Sequence, residues 1–395
     1  MMIIGCDFHT RYQQIAMMDE ATGELIERRL DHESGEAHAF YRELQGPVRV
    51  GIEATGPIRW FERLLAELGH ELWIGDSAKI RASEIRKQKT DERDALLILD
   101  LLLAKRFPKI WVPTPAERDL RQLLWHRHKL VCLRTMLGNQ LHALAMSEGL
   151  CRKRKLFTKK GRAELLHLGL APWAGRRREE LLKLLDQLEP TIAELDRAVL
   201  EEAHRREDAV LLMTHPGIGP VTSLAFVLAI GPITRFARSK KIASYLGLNP
   251  SEESSGGRRR LGAISKQGNT MVRWLLIEAV YPAVRKDPAL RQDYQRLKFR
   301  RGHAVAKVAI ARKLAVRLYW MLRSGAEYAR LVRKGKAARG PPWWTQVHRS
   351  ADWAPCSRER SRRLKNESWS DVPDRIDGWW NQTPPLDLRS EPWSK

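Results

Sequence analysis

The amino-acid sequence predicts an α/β domain followed by an all-α region. Short apolar runs bounded by turn residues alternate with helix-length segments over residues 1–112. Leucines then recur every three or four residues through 113–207, and apolar helical segments without strong strand signals fill 208–330. Residues 331–395 carry seven tryptophans (343, 344, 353, 369, 379, 380 and 393) among Pro, Ser, Arg and Asp, without periodicity, and read as a disordered tail.

Met2 to Cys6 reads as a buried first strand closed by Asp7, followed by strands over Gln13–Met18 and Glu24–Leu30 in a β-meander. A helix is expected over Gly35–Leu44, a strand over Val48–Ile52 closed by Glu53, a helix over Ile58–Leu68 and a strand over Glu71–Ile74. Another helix begins near Thr90, and Pro108, Pro113 and Pro115 mark a boundary. Beyond it, Leu120, Leu124, Leu130, Leu133, Leu137, Leu141 and Leu144 predict one long helix of a coiled-coil-like arm. A basic connection, Arg152 to Arg162, leads to a second stretch, Leu181, Leu185, Leu188, Ile192, Leu195 and Val199. Its apolar phase continues through Pro190, which predicts a kink or a restarted helix.

From Asp208 the texture changes. His215-Pro216-Gly217-Ile218-Gly219-Pro220 before the apolar segment Val221–Ile230 has the pattern of a helix-hairpin-helix, in which Gly217 and Gly219 would let backbone amides approach a phosphate. A tight turn between core helices gives the same pattern. Ser251 to Arg260 reads as a flexible basic loop containing Arg258, Arg259 and Arg260. Lys266 precedes a helix over Met271–Val284, and a further amphipathic helix covers about 305–322.

Seventy Lys and Arg against 47 Asp and Glu give a net charge of +23, a balance suited to a nucleic-acid partner. No apolar stretch reaches the ~20 residues of a membrane span, and no signal peptide is visible. Four scattered cysteines form no recognisable zinc or disulfide framework, so a cytoplasmic setting is the expectation. His126, His128 and His142 lack a ligand set around them and read as surface or packing residues.

Asp7, Glu53, Asp91 and Asp94 carry the chemistry. The first two stand at strand ends and the others three apart on one helix face, the arrangement a metal-dependent nuclease of the RNase H type requires to hold divalent cations against a phosphate. Acids in the first turn of a helix capped by Thr90 also favour its positive end, so Asp91 and Asp94 by themselves have a structural explanation.

Over about residues 1–325 the chain resembles the IS110/IS1111 transposases of insertion sequences. The marks are Ile4-Gly5-Cys6-Asp7, Gly51-Ile52-Glu53-Ala54-Thr55-Gly56 and Lys89-Thr90-Asp91-Glu92-Arg93-Asp94-Ala95 in the first half. In the second they are Pro216-Gly217-Ile218-Gly219-Pro220, Phe236 to Pro250, Ser255-Gly256 and Ile264-Ser265-Lys266. The resemblance implies a RuvC-like, RNase H-fold domain (1–112) whose acid tetrad binds Mg²⁺, with Mn²⁺ as a substitute. It implies a helical coiled-coil arm (113–207) and a transposase domain (208–330) with an essential serine, which falls on Ser255 with Ser254 as its neighbouring alternative. Further implied are DNA partners (donor and target), a structured guide RNA, dimers assembling to tetramers with acids and serine from different subunits, and a bacterial, nucleoid-associated setting. The Trp-rich tail has no counterpart in the resemblance. Two other readings stand beside it: a hydrolytic, junction-resolving nuclease using the acids and water, and a non-catalytic nucleic-acid-binding protein.

Overall fold

The computed structural model describes residues 1–56, 58–83, 90–152, 155–258 and 260–331. The expected tail and Arg259 lie outside the described residues. The chain divides into two compact units at Val112/Pro113.

In the first unit the elements run β1 (Met2–Phe8), β2 (Tyr12–Asp19), β3 (Leu25–Asp31), α1 (Glu36–Glu43), β4 (Val48–Glu53), α2 (Arg59–Glu67), β5 (Glu71–Gly75), α3 (Ser77–Ala82) and α4 (Asp91–Leu103). The sheet order is β3-β2-β1-β4-β5. The meander β1-β2-β3 is antiparallel, and β4 and β5 run parallel to β1. Strand alternation sorts the side chains. Ile4, Cys6, Val50 and Ile52 face a core with Tyr41 of α1 and Phe61 and Leu65 of α2, whereas Ile3 and Ala16 face Ile98 and Leu99 of α4. Only glycine lets α4 lie this close: a Cβ on Gly5 would sit 2.3 Å from the Ala95 carbonyl oxygen and 2.4 Å from the Leu99 nitrogen. One on Gly51 would meet Leu102 at 2.6 Å.

The second unit opens with α5 (Pro115–Ser147), α6 (Lys159–Leu166) and α7 (Pro172–His204). Thr114 and Glu117 form a reciprocal capping box ahead of α5, with Pro115 at its first position. The two long helices pair with each other within the chain. Arg127 bonds Asp196 at 2.7 Å and Arg177 bonds Gln140 at 2.9 Å, so partners descend along α7 as they rise along α5 and the pair is antiparallel. Leu137, Leu141 and Ala145 pack on Leu181, Leu182 and Leu185, so part of the stripe read as a coiled-coil seam is occupied intramolecularly. α7 continues as one helix across Pro190, not as two. The basic connection, Arg152 to Arg162, runs into α6, whose buried Gly161 and Leu165 the charge pattern hides.

Then follow α8 (Glu207–Met213), α9 (Pro220–Ile230), α10 (Ser239–Tyr245), β6 (Pro250–Glu252), β7 (Leu261–Ile264), α11 (Thr270–Glu278), α12 (Val280–Lys286), α13 (Pro288–Arg301) and α14 (His303–Ser324). Every residue of α9 from Thr222 to Ile230 is buried, which makes it the central helix of this core. The segment read as a flexible loop is an antiparallel β6–β7 hairpin instead. Its strands are short and exposed, so they lack the apolar alternation by which a strand is recognised.

A buried polar knot ties this core together. Asp287 caps α13 through Ala289 N (2.8 Å) and Leu290 N (3.1 Å), and also accepts from Arg317 and the Tyr328 hydroxyl. Burial alone would raise the Asp287 carboxyl, but Arg317 and Tyr328 hold it below its ordinary value. His215, fully buried, packs against the Tyr328 ring at 4.4 Å and bonds the Pro216 carbonyl through Nδ1.

Candidate active site

Asp7 and Glu53 occupy adjacent strands at matching heights, because β1 and β4 pair in parallel with Cys6 beside Ile52. Cys6 and Ile52 face the α1–α2 core, so alternation directs the next residues, Asp7 and Glu53, toward the α4 side. Asp91 and Asp94 stand in the first turn of α4, whose N-cap Thr90 accepts a bond from Arg93 N. The structure brings Asp7 and Asp91 together with a residue the sequence reading passed over. His9 Nε2 lies 3.1 Å from Asp7 Oδ2 and 3.4 Å from Asp91 Oδ2. Tyr12, on β2, donates from its hydroxyl to Asp91 Oδ2 at 2.8 Å. Its ring lies 4.6 Å from that of His9, tilted by 31°, and beneath the Arg29 guanidinium at 3.8 Å. The available signal was the meander register: with Phe8 opposite Gln13, the turn between them carries His9 and Tyr12 beside the end of β1.

Charge is crowded here. Burial raises the Asp7 carboxyl above its ordinary value, His9 opposes this, and Asp94 and Asp91 push it further up. A cation relieves such crowding, and the donors fit one. Ligand atoms of Asp7, His9 and Asp91 all lie within 4.8 Å of one another. Carboxylate oxygens suit a hard divalent ion, whereas an imidazole is an unusual ligand for Mg²⁺, so the His9 ring fits better as the group that orients the two carboxylates.

Ser255 lies at the tip of the β6–β7 hairpin. Gly256 (φ 56°) and Gly257 (φ 74°) form the turn, closed by Arg258 N donating to Ser255 O at 3.0 Å. The two serines differ. Ser254 Oγ donates to Glu252 at 2.8 Å and accepts from Arg260 N at 3.1 Å, whereas Ser255 Oγ is exposed with no hydrogen-bond partner among the described residues. Arg258 and Arg260 flank the same tip, and both are exposed.

At the hairpin's base, two loops cross at contact distance. A Cβ on Gly247 would lie 2.0 Å from the Gln267 carbonyl oxygen, and one on Gly268 would lie 1.9 Å from that of Tyr245. Lys266 adopts φ 55°, with its amide bonded to Gly247 O. Buried Arg273 fastens the crossing by donating to Leu246 O and Gln267 O, both at 3.0 Å. Arg273 looks, in sequence, like one more basic residue of a basic chain. Gly217 has a packing reason to be glycine: at φ 87°, its Cβ would stand 2.5 Å from the Ala283 nitrogen. Gly219, the N-cap of α9, has open space around it.

A family model described as Transposase, of the IS110 DEDD type, matches residues 4–147, and the model for the Transposase IS116/IS110/IS902 family matches 209–295. Among curated relatives, a probable family 20 transposase of Pseudomonas aeruginosa is 31% identical over 81% of this chain and 96% of its own length. The transposase for insertion sequence element IS1111A of Coxiella burnetii is 28% identical over 81% of this chain and 89% of its own. The IS1328 transposase of Yersinia enterocolitica is 27% identical over 70% and 84%. These are enzymes of DNA transposition. This chain belongs to the IS110/IS1111 family of insertion-sequence transposases.

Among the described residues no helix is long and apolar enough to cross a membrane.

Proposed function

We propose that the chain cuts and rejoins DNA by transesterification, with Ser255 as nucleophile and Asp7, Glu53, Asp91 and Asp94 as the acid tetrad of an RNase H-like domain. The observation that carries this reading is the difference between the two serines: Ser254 Oγ is committed to Glu252 and Arg260 N, whereas Ser255 Oγ has no hydrogen-bond partner among the described residues and stands at an exposed tip flanked by Arg258 and Arg260. Supporting the tetrad are the Asp7–His9–Asp91 cluster and the register that sets Glu53 beside Asp7.

Bound to the acids, Mg²⁺ or Mn²⁺ would supply Lewis-acid stabilisation of charge developing on the phosphate. The chain's own residues do the rest. Ser255 Oγ gives its proton to solvent and attacks phosphorus; a P–Oγ bond forms as the bond to the deoxyribose oxygen breaks, and that oxygen takes up a proton from solvent as it leaves. A hydroxyl of a second strand then reverses the exchange, so rejoining needs no nucleotide cofactor. Arg258, Arg259, Arg260 and Lys266 bind the flanking phosphates, and Gly219 offers an open helix N-terminus to another in a helix-hairpin-helix manner. The first unit supplies the acids, the α5–α7 arm contributes to assembly as a dimer and then a tetramer, and a structured guide RNA selects donor and target by base pairing. A setting beside the bacterial nucleoid follows from the DNA substrate and the +23 charge.

The test is an adduct assay on the full-length protein copurified with its RNA and given donor and target DNA with Mg²⁺. Wild type and Ser254→Ala should form a covalent protein–DNA species, and Ser255→Ala and Asp7→Ala should not. Mg²⁺-dependent cutting that survives in Ser255→Ala would favour the hydrolytic nuclease instead.

A further inference from the structure

The last turn of α13 carries Lys298, Phe299, Arg300 and Arg301 in succession, and Gly302, at φ 83°, turns the chain into α14. Phe299 is 93% exposed, more than any other large apolar side chain among the described residues. Lys298 and Arg300 are exposed, and neither has a carboxylate partner among the described residues. Across the corner, the partly exposed Tyr281 hydroxyl is hydrogen-bonded to His303 Nε2. Their rings lie 29° from parallel at 5.9 Å, and Lys307 Nζ is 5.2 Å from the Tyr281 ring. The corner thus joins a free aromatic face, an aromatic pair and several cations.

A structural explanation covers half of this. Cations in the last turn of a helix interact favourably with its negative end, which accounts for Lys298, Arg300 and Arg301. It does not account for Phe299, whose phenyl ring stays in water where a polar residue would serve the helix end equally well. α13 as a whole has five basic residues (Arg291, Arg296, Lys298, Arg300 and Arg301) and one acid, Asp293, which suits a polyanion, and the exposed phenyl ring set among these cations favours one that also presents flat rings.

We infer that the α13–α14 corner is a stacking site for an unpaired base of a nucleic acid, with Phe299 against the base and Lys298 and Arg300 on the phosphates to either side. A duplex hides its base faces in its own stack, so the phenyl ring selects unpaired segments. Unpaired DNA and unpaired RNA share this chemistry. The site is remote in sequence from every residue assigned above to cutting or rejoining, and binding there requires neither the acids nor Ser255.

The experiment measures fluorescence anisotropy of short labelled oligonucleotides with the full-length protein in EDTA across a salt series, using unpaired DNA, unpaired RNA and a duplex of equal length. Phe299→Ala should weaken an unpaired strand about tenfold and the duplex less than about twofold, with the salt slope unchanged. Phe299→Tyr should retain wild-type affinity, and Arg300→Ala should reduce the salt slope by about one. The strand that loses affinity identifies the source, DNA or RNA. Equal loss on duplex and unpaired strands, or no loss at all, overturns the inference. A lower oligomeric mass for Phe299→Ala with binding unchanged also overturns it, by assigning the ring to contact with a second copy. Because no metal is present, these outcomes are independent of whether the proposed serine chemistry is correct.

Discussion

The acid cluster and the serine hairpin hold the groups proposed to react in opposite ways. Asp7 projects from the buried strand β1, and Asp91 is gripped by His9 and by a hydroxyl from a neighbouring strand. Ser255 stands on an exposed two-residue turn whose stiffness comes from below, through the crossing of Gly247 with Gln267 and the two bonds of Arg273. A metal site needs several donors fixed to fractions of an ångström, which a packed sheet and helix provide. The proposed nucleophile has a large substrate to meet, and a hairpin tip provides that access.

The largest way to break this contrast is Gly5→Ala. Its methyl group would meet the α4 backbone, which cannot yield as a side chain can, so a loss of about 3 kcal/mol or more is expected, with displacement of Asp91 and Asp94. Peptide-resolved hydrogen exchange on the whole protein should show the loss in β1 and α4, with α9 still protected; uniform deprotection would contradict a local origin of the loss.

Acid should do the converse. Burial lowers the His215 pKa from its ordinary value to about 4. The unfolded chain therefore binds a proton that the folded chain refuses between about pH 6.5 and 4, and stability falls as pH drops through that window by about 3 kcal/mol in total. Exchange in α8, α9 and α14 should accelerate accordingly. His215→Gln should flatten the dependence, even at a cost at neutral pH.

Tyr12→Phe removes one hydrogen bond to the Asp91 carboxyl group and keeps the ring. Affinity for the divalent ion, read by calorimetry, should fall about tenfold with the melting temperature of the metal-free protein nearly unchanged. An unaltered affinity would mean that His9 alone orients Asp91. The smallest effect is expected from Ser254→Ala, about 1 kcal/mol of local stability in the hairpin, seen as faster exchange at Arg260 while adduct formation persists.

Much of the first unit was legible because its inner strands are short apolar runs, buried on both faces and bounded by turn residues. Asp7 and Glu53 sit at strand ends that turn residues announce. The cluster's supports were not. His9 and Tyr12 matter through an antiparallel register and through contact with a helix some eighty residues away, and neither follows from local pattern. In the second unit, leucine spacing revealed α5 and α7 but not that they pair with each other, since periodicity specifies a face and not its occupant. The β6–β7 hairpin escaped because strands of three and four residues around Gly-Gly are too short to show a period, and Arg273 because net charge says nothing about which cation is buried.

The hairpin tip has one more consequence. Gly256 and Gly257 are two successive residues with backbone torsions of the mirror-image sense, which the natural chirality of every other amino acid opposes. Handedness, not size, is the constraint there, since a Cβ at either position would meet nothing within 4 Å. Semisynthesis therefore offers an unusual control: D-alanine at 256 or 257 should preserve the turn and the presentation of Ser255, where L-alanine, with the same atoms, should disturb both.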